Sequence, residues 1–205
     1  MNQKLKLTPL LGLIALACAC APPSEASLIV SAPVFTAAPG ASGTFEVTLE
    51  NTGPATIEIG GFAFEIGTSS SAIMLTGAST LTSGAYIFAG NTLFGPDIAI
   101  STGQSLIASD NPANFVAASI ASGATYSLGL ISYTISNNAS IGPWALTFAT
   151  PATSLADARG GAAAIDAFSS GQLTIGEATA VPEPGMGGLL GGAFTILWLA
   201  KRRRP

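Results

Sequence analysis

The run Thr44-Phe45-Glu46-Val47-Thr48-Leu49-Glu50 alternates apolar and polar residues without a break. A period of two puts Phe45, Val47 and Leu49 on one side of an extended chain and the Thr and Glu side chains on the other, whereas a helix would scatter them around its circumference. The run predicts a half-buried antiparallel strand. Asn51-Thr52-Gly53-Pro54 supplies a turn after it. Ala55 to Ile59, then Gly60-Gly61, then Phe62-Ala63-Phe64-Glu65-Ile66 predict two more strands, with Phe62, Phe64 and Ile66 facing inward.

The same signature continues along the chain. Further strands are expected over Leu28 to Phe35, Ala72 to Thr76, Tyr86 to Ala89, Phe115 to Ile120, Thr125 to Ile135, Trp144 to Phe148 and Gln172 to Ile175. Within Thr125 to Ile135 the alternation Tyr126, Leu128, Leu130 slips to Ile131, Tyr133, Ile135, as a β-bulge would make it. Ser154 to Phe168 is the one helical expectation, weakened by Gly160-Gly161. Eight to ten short strands between Gly, Ser, Asn and Pro turns predict an all-β fold, an antiparallel two-sheet β-sandwich over residues 27–178. The stretch from Val34 to Ile66 is similar in style to the cohesin-like sandwiches of secreted bacterial proteins, a resemblance that carries no binding function with it.

Charge narrows the partners. Between Ser27 and Pro184 the only cation is Arg159, against ten carboxylates: Glu46, Glu50, Glu58, Glu65, Asp97, Asp110, Asp157, Asp166, Glu177 and Glu183. Such a surface repels phosphate backbones, so no nucleic-acid partner is expected. The 205 residues contain no His, no Lys between Lys6 and Lys201, and only Cys18 and Cys20, both near the N-terminus. Ser-His-Asp, Cys-His, Ser-Lys and Schiff-base chemistry lack their bases or nucleophiles, and imidazole or thiolate metal sites lack their ligands.

The two ends have a different grammar. Residues 1–26 run from Lys4 and Lys6 through the apolar Leu10 to Ala17 into small residues, which predicts a secretory signal peptide cleaved after Ala26, with Ser24 and Ala26 at −3 and −1, or earlier in the Ala-Cys-Ala-Cys-Ala run. The other reading is lipidation at Cys18 or Cys20. Residues 179–205 read Val181-Pro182-Glu183-Pro184-Gly185, then an apolar stretch from Gly185 to Ala200, then Lys201-Arg202-Arg203-Arg204. As a helix at ~1.5 Å per residue the apolar stretch spans about 24 Å, enough for a thin bilayer with the basic cluster as a cytoplasmic stop.

This order of Pro-Glu-Pro, short glycine-rich apolar helix and Arg-rich terminus resembles the PEP-CTERM sorting signal of exosortase systems, which belong to Gram-negative bacteria that make exopolysaccharide. The resemblance covers about 25 residues. It implies that Pro182, Glu183 and Pro184 form the recognition motif, that 185–200 is the transmembrane helix, and that Lys201, Arg202, Arg203 and Arg204 form the stop-transfer cluster. It further implies an exosortase-type membrane enzyme as partner, an inner-membrane stage with the body outside, and release to the cell surface or matrix.

For chemistry in the body, a carboxylate pair is the one catalytic device left, with Glu46 and Glu50 on one strand face and Glu58 and Glu65 on the polar faces of neighbours. Outward acids also keep a Lys-free surface soluble, and this is the reading adopted. Ser109-Asp110-Asn111-Pro112-Ala113-Asn114 and Asp97 offer oxygen donors for calcium, although Asp and Asn before Pro are ordinary turn formers. Trp144 alternates with Leu146 and Phe148 and is expected in the core rather than as a sugar platform. Scattered Thr residues give no regular array for ice binding, and Asn138-Ala139-Ser140 matches a glycosylation sequon.

The sequence therefore predicts an exported, non-enzymatic surface or matrix protein without a required cofactor. A polysaccharide- or calcium-binding module is the alternative, and it requires exposed Trp144, Tyr86, Tyr126 or Tyr133 near clustered acids. An ice-binding protein and a carboxylate glycoside hydrolase are remoter readings.

Overall fold

The computed structural model describes residues 27–177. The expected signal peptide, with Cys18, Cys20 and Ala26, and the expected sorting tail, with Pro182, Glu183, Pro184 and Lys201 to Arg204, lie outside the described residues. The strands in chain order are β1 (Leu28–Ser31), β2 (Val34–Ala37), β3 (Ser42–Asn51), β4 (Ile57–Thr68), β5 (Ile73–Ser79), β6 (Asp97–Ser101) and β7 (Ser105–Asp110). They continue with β8 (Ala118–Ile120), β9 (Thr125–Ile135), β10 (Gly142–Phe148), β11 (Ser154–Asp157), β12 (Ala162–Ala163), β13 (Ala167–Ser169) and β14 (Gly171–Ile175). No helix occurs among the described residues.

Two sheets form the sandwich. The five-stranded sheet has the order β13-β1-β3-β9-β5. The nine-stranded sheet follows β12-β11-β4-β10-β14-β2, with β7 and β8 on the other edge of β4 and β6 beyond β7. All ladders are antiparallel except β1 with β13 and β14 with β2. Phe45, Val47 and Leu49 from one sheet and Phe62, Phe64 and Ile66 from the other are buried between them, as their alternation requires. Phe35 lies 5.5 Å from Phe45 and 5.4 Å from Tyr133, ring to ring, and so ties the sheets together where the chain crosses between them.

Several elements differ from the sequence expectation. Leu28 to Phe35 is two strands, not one, because Pro33 has no N–H to continue a ladder and the chain passes there from one sheet to the other. The two strands expected over Ala55 to Ile66 are one strand, β4 (Ile57–Thr68), running through Gly60-Gly61. Those glycines answer close approach rather than a turn: a Cβ on Gly60 would strike the Asp157 carbonyl oxygen and one on Gly61 the Asn111 amide oxygen. The register against β11 slips at this point, so Glu58 and Glu65, seven residues apart on one strand, both face outward.

Tyr86 to Ala89 is a turn that buries Tyr86, Ile87 and Phe88, with a single bridge from Tyr86 to Ser127 and the Ala89 N–H bonded to the Tyr86 carbonyl at 3.0 Å. Phe115 to Ile120 shortens to Ala118–Ile120, since Phe115 adopts φ 58° and leaves the extended region. The helix expected over Ser154 to Phe168 is instead β11, β12 and β13. Gly160, at φ 78°, turns the β11–β12 hairpin, and Asp157 Oδ1 accepts the Arg159 and Gly161 N–H groups at 2.8 Å each. The slip in Thr125 to Ile135 is a bulge, set two residues earlier than the alternation suggested: Val47 pairs with Gly129 and Thr48 with Ser127, leaving Leu128 as the extra residue, so Leu130, opposite the outward Glu46, turns to the outer face.

Candidate functional site

The acids are dispersed. Glu46 and Glu50 project from β3 on the outer face of the five-stranded sheet, while Glu58 and Glu65 project from β4 in the nine-stranded sheet. Glu65 accepts a hydrogen bond from the Ser105 hydroxyl at 2.5 Å on the neighbouring strand. Sequence proximity thus brings Glu46 and Glu50 to one face, and the tertiary structure sets the other pair on the opposite sheet.

The calcium candidates part in the same way. Asp97 is exposed at the start of the edge strand β6 and pairs in register with Ser109. Asp110, one residue on, points to the opposite face and is 3% exposed. Its Oδ2 accepts the Tyr86 hydroxyl at 2.6 Å and the Thr92 hydroxyl at 2.5 Å, and its Oδ1 accepts the Asn111 N–H at 2.8 Å. Asp110 is a satisfied buried anion that pins a loop. Asn111 packs its amide oxygen over Gly61. No group of three or more potential metal-ligating side chains forms among the described residues.

The rings are mostly inside. Tyr86 and Tyr133 are buried, Tyr126 and Trp144 are half-buried against the core, and the Trp144 indole N–H donates to the Ser140 carbonyl at 3.4 Å. Burial, the hydrogen bond to Asp110 and the Asp110 charge together push the Tyr86 phenol well above its ordinary range. Among the described residues the rings exposed to solvent are Phe94 and Phe115, which the sequence reading did not single out. They stand on two loops cross-tied by the Asn91 amide donating to the Asn114 side-chain oxygen at 2.6 Å and by the Leu93 N–H donating to the Asn111 carbonyl at 2.9 Å.

A concavity on the five-stranded sheet was also absent from the sequence reading. A groove of about 590 Å³ is lined by Ser31, Ala32 and Pro33 on one side, Leu81, Ser83 and Leu130 on the other, and Thr44, Phe45, Glu46 and Thr48 between them. Glu46 is its only charged residue. Its carboxylate accepts the N–H groups of Ser83 and Gly84, on the loop after β5. Partial burial works to raise its pKa, but hydrogen bonds from Ser83 and Gly84 outweigh it and hold the carboxyl below the usual range.

The sandwich is cohesin-like. A type I cohesin from Pseudobacteroides cellulosolvens matches at a TM-score of 0.58 with 14% identity, covering 77% of this chain and 97% of the cohesin. A cohesin from Acetivibrio cellulolyticus, solved in complex with a dockerin, matches at 0.57 with 13% identity, covering 73% and 99%. A non-cellulosomal cohesin from the archaeon Archaeoglobus fulgidus matches at 0.53 with 14% identity, covering 74% and 92%. At these identities the likeness establishes the fold. No protein-family model matches the chain, and no curated protein matches it.

Proposed function

We propose that this chain is an exported, non-enzymatic protein-binding module delivered to the cell surface or extracellular matrix by its C-terminal tail. The observation that carries the binding reading is the whole-domain likeness to cohesins, one of them solved with its dockerin partner. Acids spread over two sheets and tyrosine rings turned into the core speak against a carboxylate hydrolase and against a polysaccharide platform. The delivery reading rests on the tail sequence alone: Pro182-Glu183-Pro184 as motif, an apolar segment, and Lys201 to Arg204. Its partner is an exosortase-type enzyme, met during an inner-membrane stage.

Two readouts on the full chain in its native host test this. The first is intact mass, with Pro182→Ala/Pro184→Ala as control. The reading expects a wild-type product ending near Pro184 and a variant kept at full C-terminal length in the membrane fraction; a wild-type protein retaining Lys201 to Arg204 overturns delivery by the tail. The second is a photo-crosslinking residue at Thr44 or Thr147, both exposed, one on each sheet. Adducts with a protein are expected from at least one face, and their absence from both overturns the module reading.

A further inference from the structure

β1 leaves its sheet partway along its neighbour. It pairs with β3 only from Leu28–Asn51 to Ser31–Thr48, after which Ala32-Pro33 carries the chain to the other sheet, where β2 lies beside β14. β3 continues toward Ser42 paired with β9 alone. The two ends of β3 show which backbone groups this leaves open. The Asn51 N–H donates to Ala124 and the Ala41 carbonyl accepts from Ile135, both on the β9 side, whereas the Thr52 N–H donates to Ser27 on the β1 side. Successive residues of a strand direct their N–H and C=O to opposite neighbours, and the bulged residue of this pair sits on β9, not β3. Odd-numbered residues of β3 therefore serve β9 and even-numbered ones serve β1. Past Thr48, Glu46 and Thr44 direct their N–H and C=O groups into the place β1 has vacated, where no strand among the described residues pairs with them.

The groove around Glu46 is that place, since its lining joins Ser31 to Pro33 with Thr44 to Thr48. We propose that this notch is a strand-addition site for an extended segment of a partner protein that carries a lysine or arginine, pairing its backbone with Thr44 and Glu46 and setting its cation on the Glu46 carboxylate. The inference rests on the protein-binding reading above and names the surface and the chemistry of the partner. Unpaired strand edges accept added strands through main-chain hydrogen bonds, with side chains giving specificity. An opposite charge across from Glu46 is the favourable cross-strand pair. Leu130 and the largely exposed Leu81 flank the carboxylate and suit the aliphatic stem of a basic side chain. Charge also chooses between partners: the described residues hold nine carboxylates and one cation, Arg159, so a second copy would set acid against acid here.

The test is selection of a displayed library of random octapeptides against the detergent-solubilised full chain, as wild type, Glu46→Gln and Glu46→Lys. The proposal expects peptides enriched for a basic residue at one position and free of internal proline. The best synthetic peptide should bind roughly five- to tenfold more weakly to Glu46→Gln, and not at all when proline replaces a residue next to its cation. Glu46→Lys should enrich acidic peptides instead, a gain that misfolding cannot produce. No enrichment, or enrichment indifferent to residue 46, overturns the proposal, and so does a full-chain dimer that Glu46→Gln abolishes. Protein crosslinks from Thr147 with indifference at residue 46 would remove the notch and leave the module reading standing.

Discussion

The Tyr86 hydroxyl donates to the Asp110 carboxylate at 2.6 Å inside the sandwich, and the Thr92 hydroxyl reaches the same oxygen at 2.5 Å. Tyr86 opens the turn against Ser127 of β9, Asp110 ends β7, and Thr92 lies on the loop that carries Phe94. One buried anion therefore holds three segments distant in sequence. Removing a donor from a buried carboxylate costs about 1–3 kcal/mol. Tyr86→Phe should lower stability by that order, read as a shift of the urea midpoint at pH 7.

The same pair sets the alkaline limit. A phenol whose folded pKa is raised binds its proton more tightly folded than unfolded, so its stabilisation is complete below the ordinary value of 10.0 and declines as pH rises above it. Burial raises the Tyr133 pKa as well and adds in the same direction. Urea midpoints measured from pH 8 to pH 11 should fall beyond about pH 10, and Tyr86→Phe should flatten that fall.

On the acid side Glu46 works with the opposite sign. Its pKa is lowered from 4.5, so its contribution is present above that value and lost as pH falls through the folded pKa. Glu46→Gln should flatten the acid arm of the stability curve below pH 4.5. Unfolding midpoints that track the wild type through this range would contradict the bonds from Ser83 and Gly84.

Asn51 is fully buried at the end of β3. Its amide donates to the Ala55 carbonyl at 2.7 Å and the Ile120 carbonyl at 3.0 Å and accepts the Gly53 N–H at 3.1 Å. It shapes the turn into β4 and fastens β8 to it. Asn51→Ala strands three backbone groups and should cost about 2–4 kcal/mol, visible as a large drop in thermal midpoint.

Phe115 is 85% exposed with φ 58°. A left-handed backbone costs a non-glycine residue about 1–2 kcal/mol, while glycine pays a smaller entropic penalty in the unfolded chain. With no packing to lose, Phe115→Gly should raise stability by up to about 1 kcal/mol. A lowered midpoint would mean that the ring packs in solution.

The fold was legible wherever a strand has one dry and one wet face. Phe45, Val47 and Leu49, then Phe62, Phe64 and Ile66, then Ile131, Tyr133 and Ile135 carry their burial in their spacing. β7 escaped because Asp110 occupies an inward position, and an acid reads as surface until Tyr86 and Thr92 are seen beside it. β11 to β13 escaped because Ala-rich stretches favour helices locally, and only pairing with β4 and β1 overrides that. Glu46 was legible as an outward acid on a strand, but not as the one charge in a groove.

The all-β class, the inward faces of the long strands, the presence of a bulge in β9 and the scarcity of positive charge were readable from the residues, because each is local or additive along the chain. Tertiary structure alone decided that Pro33 would move β1 out of its sheet, that Asp110 would lie buried under Tyr86, and that Thr44 and Glu46 would face an unfilled place. Those outcomes depend on which strands become neighbours, and pairing between distant segments is set by the packing of the whole sandwich.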